Sequence, residues 1–313
     1  MTETTTERSR REAWLMAARP HTLPAAAAPV IVGTGLAVHE GVFAALPALA
    51  AFLGAALIQI GTNFANDYYD AVKGVDTDER EGFTRVTQSG LIAPESVKRA
   101  MYATFALAIL VGVYLVWVGG LPILVIGLAS VISGVAYAGG PYPLGSHGLG
   151  DLFVFVFFGV VAVMGTFYVQ AAAVLAPAFP TAIPEGTVTL AAFVASLPVA
   201  AISTNILVVN NVRDLETDRK AGKKTLAVLV GYTASRAEFV GMLAVAYAVP
   251  FWFWLSEGYA PAVVLPLVTI PYAASVARTV LTDASGEALN PALEQTGKLL
   301  AGYSVLFALG LLA

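Results

Sequence analysis

The chain has 313 residues, of which 58% are hydrophobic and 12% are charged, and its mean hydropathy is +0.75. Soluble domains carry about 25% charged residues, so this composition excludes an ordinary soluble protein and predicts a polytopic membrane protein. The net charge of −4 offers no basic surface for a nucleic acid, and the lack of cysteine excludes disulfides, thiolate metal sites and thiol nucleophiles.

The chain begins with a polar segment that differs from the apolar stretches after it. Residues 1–20 are predicted to form a polar N-terminal tail and an interfacial segment, in which Trp14 lies on a short helix before Pro20. Residues 21–313 are predicted to form a single transmembrane domain, because no long polar insertion interrupts them.

A membrane-spanning helix needs about 17 to 25 mostly apolar residues. Nine stretches meet this requirement approximately: 23–38, 44–66, 97–118, 121–138, 152–174, 188–210, 237–255, 260–277 and 293–312. The first is short and contains prolines, and Lys298 interrupts the last. The predicted fold class is therefore all-α, a bundle of about nine transmembrane helices.

The basic residues predict the orientation of the bundle. If the N-terminus is cytoplasmic, all 17 Lys and Arg residues fall in segments on the cytoplasmic side, as the positive-inside rule requires. The opposite loops, near Glu40, Gly119, Glu185 and Glu257, carry no basic residue. We expect a plasma-membrane protein whose N-terminus and two acidic loops face the cytoplasm.

The first acidic loop follows the second predicted span, in the motif GTNFANDYYDAVKGVDTDER at 61–80. On a helix, the spacing of Asn63, Asp67 and Asp70 places their side chains on one face. Such a group is costly in an apolar setting without ligands or water. Its oxygen atoms suit Mg²⁺, which keeps several waters and takes substrate phosphates as further ligands.

The second acidic loop, VNNVRDLETDRKAGKKT at 209–225, follows the sixth predicted span. Asn210 and Asp214 repeat the four-residue spacing, and Asp218 follows after another turn. A single pair of carboxylates at this spacing is usually a solvated helix end. Two matched copies, each at the end of an apolar span, instead predict two clusters that share bound cations.

Basic residues accompany both clusters: Lys73, Arg80 and Arg85 in the first, and Arg213, Lys220, Lys223 and Lys224 in the second. Carboxylates beside cations are typical of metal-bound phosphate sites. For any single lysine, membrane topology is the simpler explanation. Arg213, adjacent to Asp214, is the cation that we expect to contact phosphate.

Other sites for phosphate or catalysis lack support in the sequence. The nucleotide-binding pattern GxxxxGK[ST] is absent, the three histidines have no metal-ligand spacing, and no hydrolytic triad is indicated. Acidic loops above an apolar bundle fit a substrate with a diphosphate head and a hydrocarbon tail, such as polyprenyl diphosphate. Tyr137 and Tyr142 are candidates to stabilise the carbocation left by the departing diphosphate, although most aromatic residues here are expected to pack.

Four stretches carry a family resemblance: AWLMAARPHTLP, NFANDYYDAVKGVD, GLGDLFVFVFFGVVAVMGTFYVQA and NNVRDLETDRKAGKKTLAV. The sequence resembles the UbiA superfamily of intramembrane prenyltransferases, and within it the 1,4-dihydroxy-2-naphthoate polyprenyltransferase branch of menaquinone synthesis. It departs from the general superfamily pattern NDxxDxxxD, whose last position is Gly74 here, while the acid appears at Asp76. This departure weakens the transfer of a metal role to that last acid.

The resemblance implies an Mg²⁺-dependent enzyme that joins a polyprenyl chain to an aromatic acceptor, losing diphosphate and, from naphthoate, CO₂. It implies diphosphate contacts at Lys73 and Arg213, and a ligand for an anionic substrate group at Arg19. The implied ligands of magnesium diphosphate are Asn63, Asp67, Asp70, Asp214 and Asp218. Expected partners are polyprenyl diphosphate, an aromatic acceptor and membrane lipid, but no nucleic acid.

Three alternative functions are also compatible with the sequence. Two lie in the same superfamily, a prenyltransferase for 4-hydroxybenzoate and one for a glycerol phosphate lipid. The third is a secondary transporter. Transporter sites usually lie near the bilayer midplane on broken helices, whereas these acidic residues lie at the ends of predicted spans, which disfavours transport.

Overall fold

A computed structural model describes residues 10–73, 86–87, 89–138 and 144–313, and only the backbone at residues 70, 71, 73 and 134–138. The α-helices are α1 Arg10–Ala18, α2 Leu23–His39, α3 Ala45–Lys73, α4 Pro94–Ala138, α5 Gly150–Phe153, α6 Ala162–Leu175, α7 Leu190–Arg213, α8 Leu215–Lys220, α9 Leu226–Ser256, α10 Ile270–Thr282 and α11 Gly286–Leu312. A π-helix, Val154–Val161, joins α5 to α6, and 3-10 turns cover Pro20–Thr22, Leu144–Ser146 and Pro261–Thr269.

Eight segments of the described chain are long and apolar enough to span a membrane: Arg10–His39, Ala45–Tyr69, Pro94–Ser133, Gly150–Leu175, Leu190–Arg213, Leu226–Ser256, Pro261–Thr282 and Gly286–Leu312. The third lies in α4, whose 45 residues exceed the need of one pass. A straight helix of that length would measure about 68 Å, against a hydrocarbon core of about 30 Å. Gly120 interrupts α4 with non-helical φ and ψ angles of 67° and −154°, between the third and fourth predicted spans. The prediction of about nine transmembrane helices is confirmed.

The break in α4 is fixed by the loop between α6 and α7. Leu121 donates its backbone N–H to the Pro180 carbonyl at 2.9 Å, and Phe179 donates to the Trp117 carbonyl at 2.8 Å. A Cβ atom on Gly120 would overlap the Pro180 carbonyl oxygen. Glycine is therefore required here both by its positive φ and by this close contact.

The core of the bundle surrounds α7, which packs against α2, α9, α11 and the π-helix. Its residues Val199 and Ile202 are fully buried, as are Phe239 of α9 and Phe307 of α11. By contrast, α3 and α4 pack mainly on each other and expose large apolar side chains, among them Leu46, Leu49, Ile109, Leu110, Val113 and Trp117. Lipid is the solvent that such faces match.

Both acidic motifs lie at the same end of the bundle, which we call the motif end. The turn before α2 contacts α3 through Thr22 and Asn63 and also packs on the start of α11. The start of α11 in turn contacts the end of α7, through Asn290 and Arg213. At the opposite end of the bundle, His39 Nδ1 lies 2.8 Å from the carbonyl oxygen of Leu311, which links α2 to the end of α11.

Candidate functional site

The first cluster lies on the last turns of α3. Asn63 and Asp67 occupy successive turns of one face and are only 4% and 1% exposed. The backbones of Asp70 and Lys73 continue the same helix, but their side chains lie outside the described part of the chain, as do Arg80 and Arg85. The shared face of Asn63 and Asp67 is thus present, and the orientation of Asp70 stays a prediction.

The side chain of Asn63 is held by the turn before α2. Its Nδ2 atom donates hydrogen bonds to the Ala18 carbonyl and to Thr22 Oγ1, both at 2.9 Å. Gln59, one turn earlier on α3, also donates to Thr22 Oγ1, at 3.1 Å. Both N–H groups of the Asn63 amide are therefore used in hydrogen bonds. These bonds fix the orientation of the amide, and with it Oδ1, which is the atom that an asparagine offers to a metal ion.

Arg19 is brought to this cluster by the same turn. It has a left-handed backbone with φ of 51°, which is uncommon for a residue other than glycine. Its carbonyl accepts hydrogen bonds from both the N–H and the hydroxyl of Thr22, each at 2.9 Å. Arg19 therefore directly precedes the 3-10 turn Pro20–Thr22, and the hydroxyl of Thr22 in that turn anchors Asn63.

Helix α1 packs against α3 next to the first cluster. Ala13 and Ala17 are buried against α3, and Trp14 packs edge-on against Phe64 with ring centroids 5.8 Å apart. The chain returns to α3 after the first motif, where Thr87 donates its hydroxyl to the Asp67 carbonyl at 2.8 Å. The predicted short helix before Pro20 is therefore present and packs against α3, and its position at the membrane interface stays a prediction.

The second cluster surrounds the break between α7 and α8. Helix α7 ends at Arg213, and Asp214 links it to α8 with φ and ψ of −91° and 3°. The Arg213 guanidinium holds both Asp214 oxygens, through Nε and Nη2 at 2.8 Å. It also donates to Asn210 Oδ1 at 2.8 Å and to Asn290 Oδ1 of α11 at 2.7 Å.

The third acid of this motif, Asp218, is 7% exposed and lies on α8. After α8 the chain turns through Gly222, whose φ is +73°. The N–H of Gly222 bonds to the Arg219 carbonyl and that of Lys223 to the Asp218 carbonyl, which is the Schellman pattern of a helix end. This turn carries the Lys223 ammonium back to Asp218 Oδ1 at 2.8 Å.

Sequence reasoning missed several contacts at this end of the bundle. Asn290 contacts Arg213 across 77 residues of sequence, and nothing near it in the chain signals that role. Lys223 was expected to serve topology, yet it forms an ion pair with Asp218. The loop that begins at Leu144 also reaches the second motif, because Lys224 donates its backbone N–H to the Ser146 carbonyl at 2.9 Å.

The described residues offer oxygen donors that fit a magnesium ion. Asn63 and Asp67 form one set, and Asn210, Asp214 and Asp218 form the other. Within the described ranges, no three His, Cys, Asp or Glu side chains are grouped closely enough to hold a metal ion without other ligands. Mg²⁺ commonly takes only one or two carboxylates and completes its shell with water and phosphate, so the donor set is compatible with a metal–diphosphate complex.

The side chains of Tyr137 and Tyr142, the predicted aromatic candidates, lie outside the described part of the chain. Tyr137 lies on the last turn of α4, where only the backbone is described, and Tyr142 lies outside the described residues. Their part in stabilising a carbocation stays a prediction.

Comparisons with known proteins agree with this architecture. The model of the UbiA prenyltransferase family matches residues 26–297. The 1,4-dihydroxy-2-naphthoate octaprenyltransferase of Mycobacterium tuberculosis is 39% identical over 91% of each chain, and that of Escherichia coli is 38% identical over 97% of this chain and 96% of the relative. A solved UbiA homologue from Archaeoglobus fulgidus, bound to DMAPP and Mg²⁺, superposes with a TM-score of 0.58 at 18% identity, covering 94% of this chain and 98% of the other.

Proposed function

The chain belongs to the UbiA prenyltransferase family, and from this premise we propose that it transfers a polyprenyl chain from polyprenyl diphosphate to 1,4-dihydroxy-2-naphthoate. The products are diphosphate, CO₂ and demethylmenaquinol, which oxidises to demethylmenaquinone. The observation that carries the proposal is the similarity, over nearly the whole chain, to relatives named for this acceptor.

The fold supports a substrate with one polar and one apolar end. The chain is a multi-pass membrane protein whose long helices expose apolar faces, and a polyprenyl tail matches such surfaces. The motif end gathers the carboxylates, amides and cations that a diphosphate bound with a metal ion needs. The reaction therefore belongs at the boundary between these two environments.

The atom balance of this reaction is simple. The C–O bond between the prenyl chain and diphosphate breaks, and the electron pair leaves with the diphosphate. A new C–C bond forms to the naphthoate ring, and the carboxylate leaves as CO₂. The prenyl group replaces the carboxylate in the overall balance, so no net proton leaves the ring.

We assign roles at the motif end on the same basis. The oxygen ligands of a magnesium–diphosphate complex are Asn63, Asp67, Asp70, Asp214 and Asp218. Bound Mg²⁺ would neutralise the diphosphate and make it a better leaving group. We assign Lys73 and Arg213 to contact the diphosphate, Arg19 to bind an anionic group of a substrate, and Tyr137 and Tyr142 to stabilise the developing positive charge.

The proposed location is the plasma membrane, with the motif end in the cytoplasm. The placement of both acidic motifs at one end of the bundle supports a single active side. The segregation of all Lys and Arg to the same side of the predicted topology supports the cytoplasmic assignment.

Product analysis by mass spectrometry tests the reaction. Purified protein in lipid is given a polyprenyl diphosphate with 1,4-dihydroxy-2-naphthoate or 4-hydroxybenzoate, with and without Mg²⁺. We expect a decarboxylated prenyl naphthoquinol that forms only with the metal. Prenylation of the benzoate alone would make the acceptor assignment wrong, and no transfer to either ring would direct the assay to glycerol phosphate lipids or to transport.

A further inference from the structure

The guanidinium of Arg213 makes more contacts than any other side chain at the second motif. Arginine has five N–H donors, and four bonds are formed here: two to Asp214, one to Asn210 and one to Asn290. The Arg213 side chain is 10% exposed, whereas that of Asp214 is 29% exposed. The arginine side chain is therefore more deeply buried than the carboxylate that it holds.

This arrangement limits what Arg213 can offer to a substrate. With its four bonds kept, it has one further N–H for a diphosphate oxygen, so it does not provide the two-pronged contact typical of arginine and phosphate. Its main effect is on its own neighbours. The planar guanidinium fixes the orientation of the Asp214 carboxylate and of the Asn210 amide relative to each other.

The bond from Asn290 differs from the other three because it comes from another helix. Asn210 and Asp214 flank Arg213 on the same helix end, and they move with it. Asn290 lies on the second turn of α11, between Leu289 and Pro291, and both Leu289 and Ala292 are fully buried in the core. The asparagine thus connects the guanidinium to a fixed part of the bundle.

We propose that Asn290 is a positioning residue for the transfer reaction: it holds Arg213, and through Arg213 it holds Asp214 and Asn210 in the orientation that receives a metal-bound diphosphate. Outer contacts of this kind orient metal ligands and carry much of a site's affinity. The inference rests on the proposed function for the identity of the substrate. It makes α11 a contributor to the site, although α11 carries none of the acidic motif.

The test compares Asn290→Ala, Asn290→Asp and the control Glu287→Ala, which removes an exposed side chain one turn earlier on α11. Binding of Mn²⁺ in the presence of inorganic diphosphate is measured by electron paramagnetic resonance on detergent-purified protein. The KM values for polyprenyl diphosphate and for the naphthoate are measured separately. The first readout does not require turnover.

We expect Asn290→Ala to weaken Mn²⁺ binding about 10-fold and to raise the KM for polyprenyl diphosphate by a similar factor. The KM for the naphthoate should not change. Asn290→Asp keeps an acceptor oxygen for Arg213, and it should bind Mn²⁺ within about 3-fold of the wild type. Glu287→Ala should match the wild type in every measurement.

A double-mutant cycle separates positioning from a direct role. In an Arg213→Ala background, Asn290→Ala should have no further effect on Mn²⁺ binding, because its partner is already absent. A further loss in that background, or wild-type binding by Asn290→Ala alone, would overturn the inference. If Asn290→Ala does not fold, equal losses in Asn290→Asp and Arg213→Ala would also overturn it. A wild type that binds Mn²⁺ with diphosphate but does not prenylate naphthoate would refute the proposed function and leave this cycle valid.

Discussion

Lys220 and Lys223 lie three residues apart in the second motif and differ in their contacts. Lys223 holds the Asp218 carboxylate at 2.8 Å, whereas Lys220 is an exposed residue at the end of α8. Asp218 is buried, so the ion pair restricts the orientation of its carboxylate and partly neutralises its charge. Two lysines of the same motif therefore make different contributions to the site.

We expect Lys223→Ala to raise the KM for polyprenyl diphosphate about 10-fold, since Asp218 loses the contact that orients it. Lys220→Ala should stay within about 2-fold of the wild type, because a single exposed lysine mainly contributes to topology. Steady-state kinetics with purified protein measures both. Equal effects of the two substitutions would show that the Lys223–Asp218 ion pair has no influence on the site.

The sequence predicted these residues unevenly, for a physical reason. Two pairs of residues are four positions apart in the sequence, Asn63 with Asp67 and Asn210 with Asp214. Because a helix repeats every 3.6 residues, this spacing alone predicts that the members of each pair lie close together. The partner of Arg213 on α11 is set by how the helices pack, and no local spacing encodes that contact. Likewise, nothing in the first motif indicates that Thr22 anchors Asn63.

At the scale of helices, the apolar stretches predicted where the spans lie, but two of the helices extend beyond the predicted ends. The second and sixth spans were predicted to end at residues 66 and 210, but α3 continues to Lys73 and α7 to Arg213. Apolarity ends where polar residues begin, yet a helix continues as long as its backbone bonds form and its polar side chains find partners. At both motifs the helix carries the polar side chains beyond the apolar stretch.

The break in α4 provides a prediction at this scale. We expect Gly120→Ala to lower the thermal unfolding midpoint strongly, because its Cβ would overlap the Pro180 carbonyl oxygen and its φ of 67° is unfavourable for alanine. Gly127→Ala is the matched control on the same helix, since a Cβ there meets no atom within 4 Å. Alanine is favoured over glycine in a helix by about 1 kcal/mol, so the control should be neutral or slightly stabilising. Similar midpoints for both variants would contradict the requirement for glycine at the break.

Across the whole molecule, the start of α11 joins the two motifs. Asn290 contacts Arg213 of the second motif, and the turn that anchors Asn63 packs against α11. The two clusters are far apart in the sequence, and α11 contacts elements next to both of them. The motif end is therefore built from elements of both halves of the chain.

The orientation of the whole molecule can be tested because the chain has no cysteine. Single cysteines are introduced in place of Glu216, exposed at the motif end, and of Glu185, exposed in the loop between α6 and α7. In intact spheroplasts, a membrane-impermeant maleimide should label Glu185→Cys and should label Glu216→Cys only after the membrane is permeabilised. The positive-inside rule requires this result, because the basic residues surround Glu216 and are absent near Glu185. The reverse labelling would place the motif end outside the cytoplasm, and the enzyme would then have to receive its diphosphate substrate from that side.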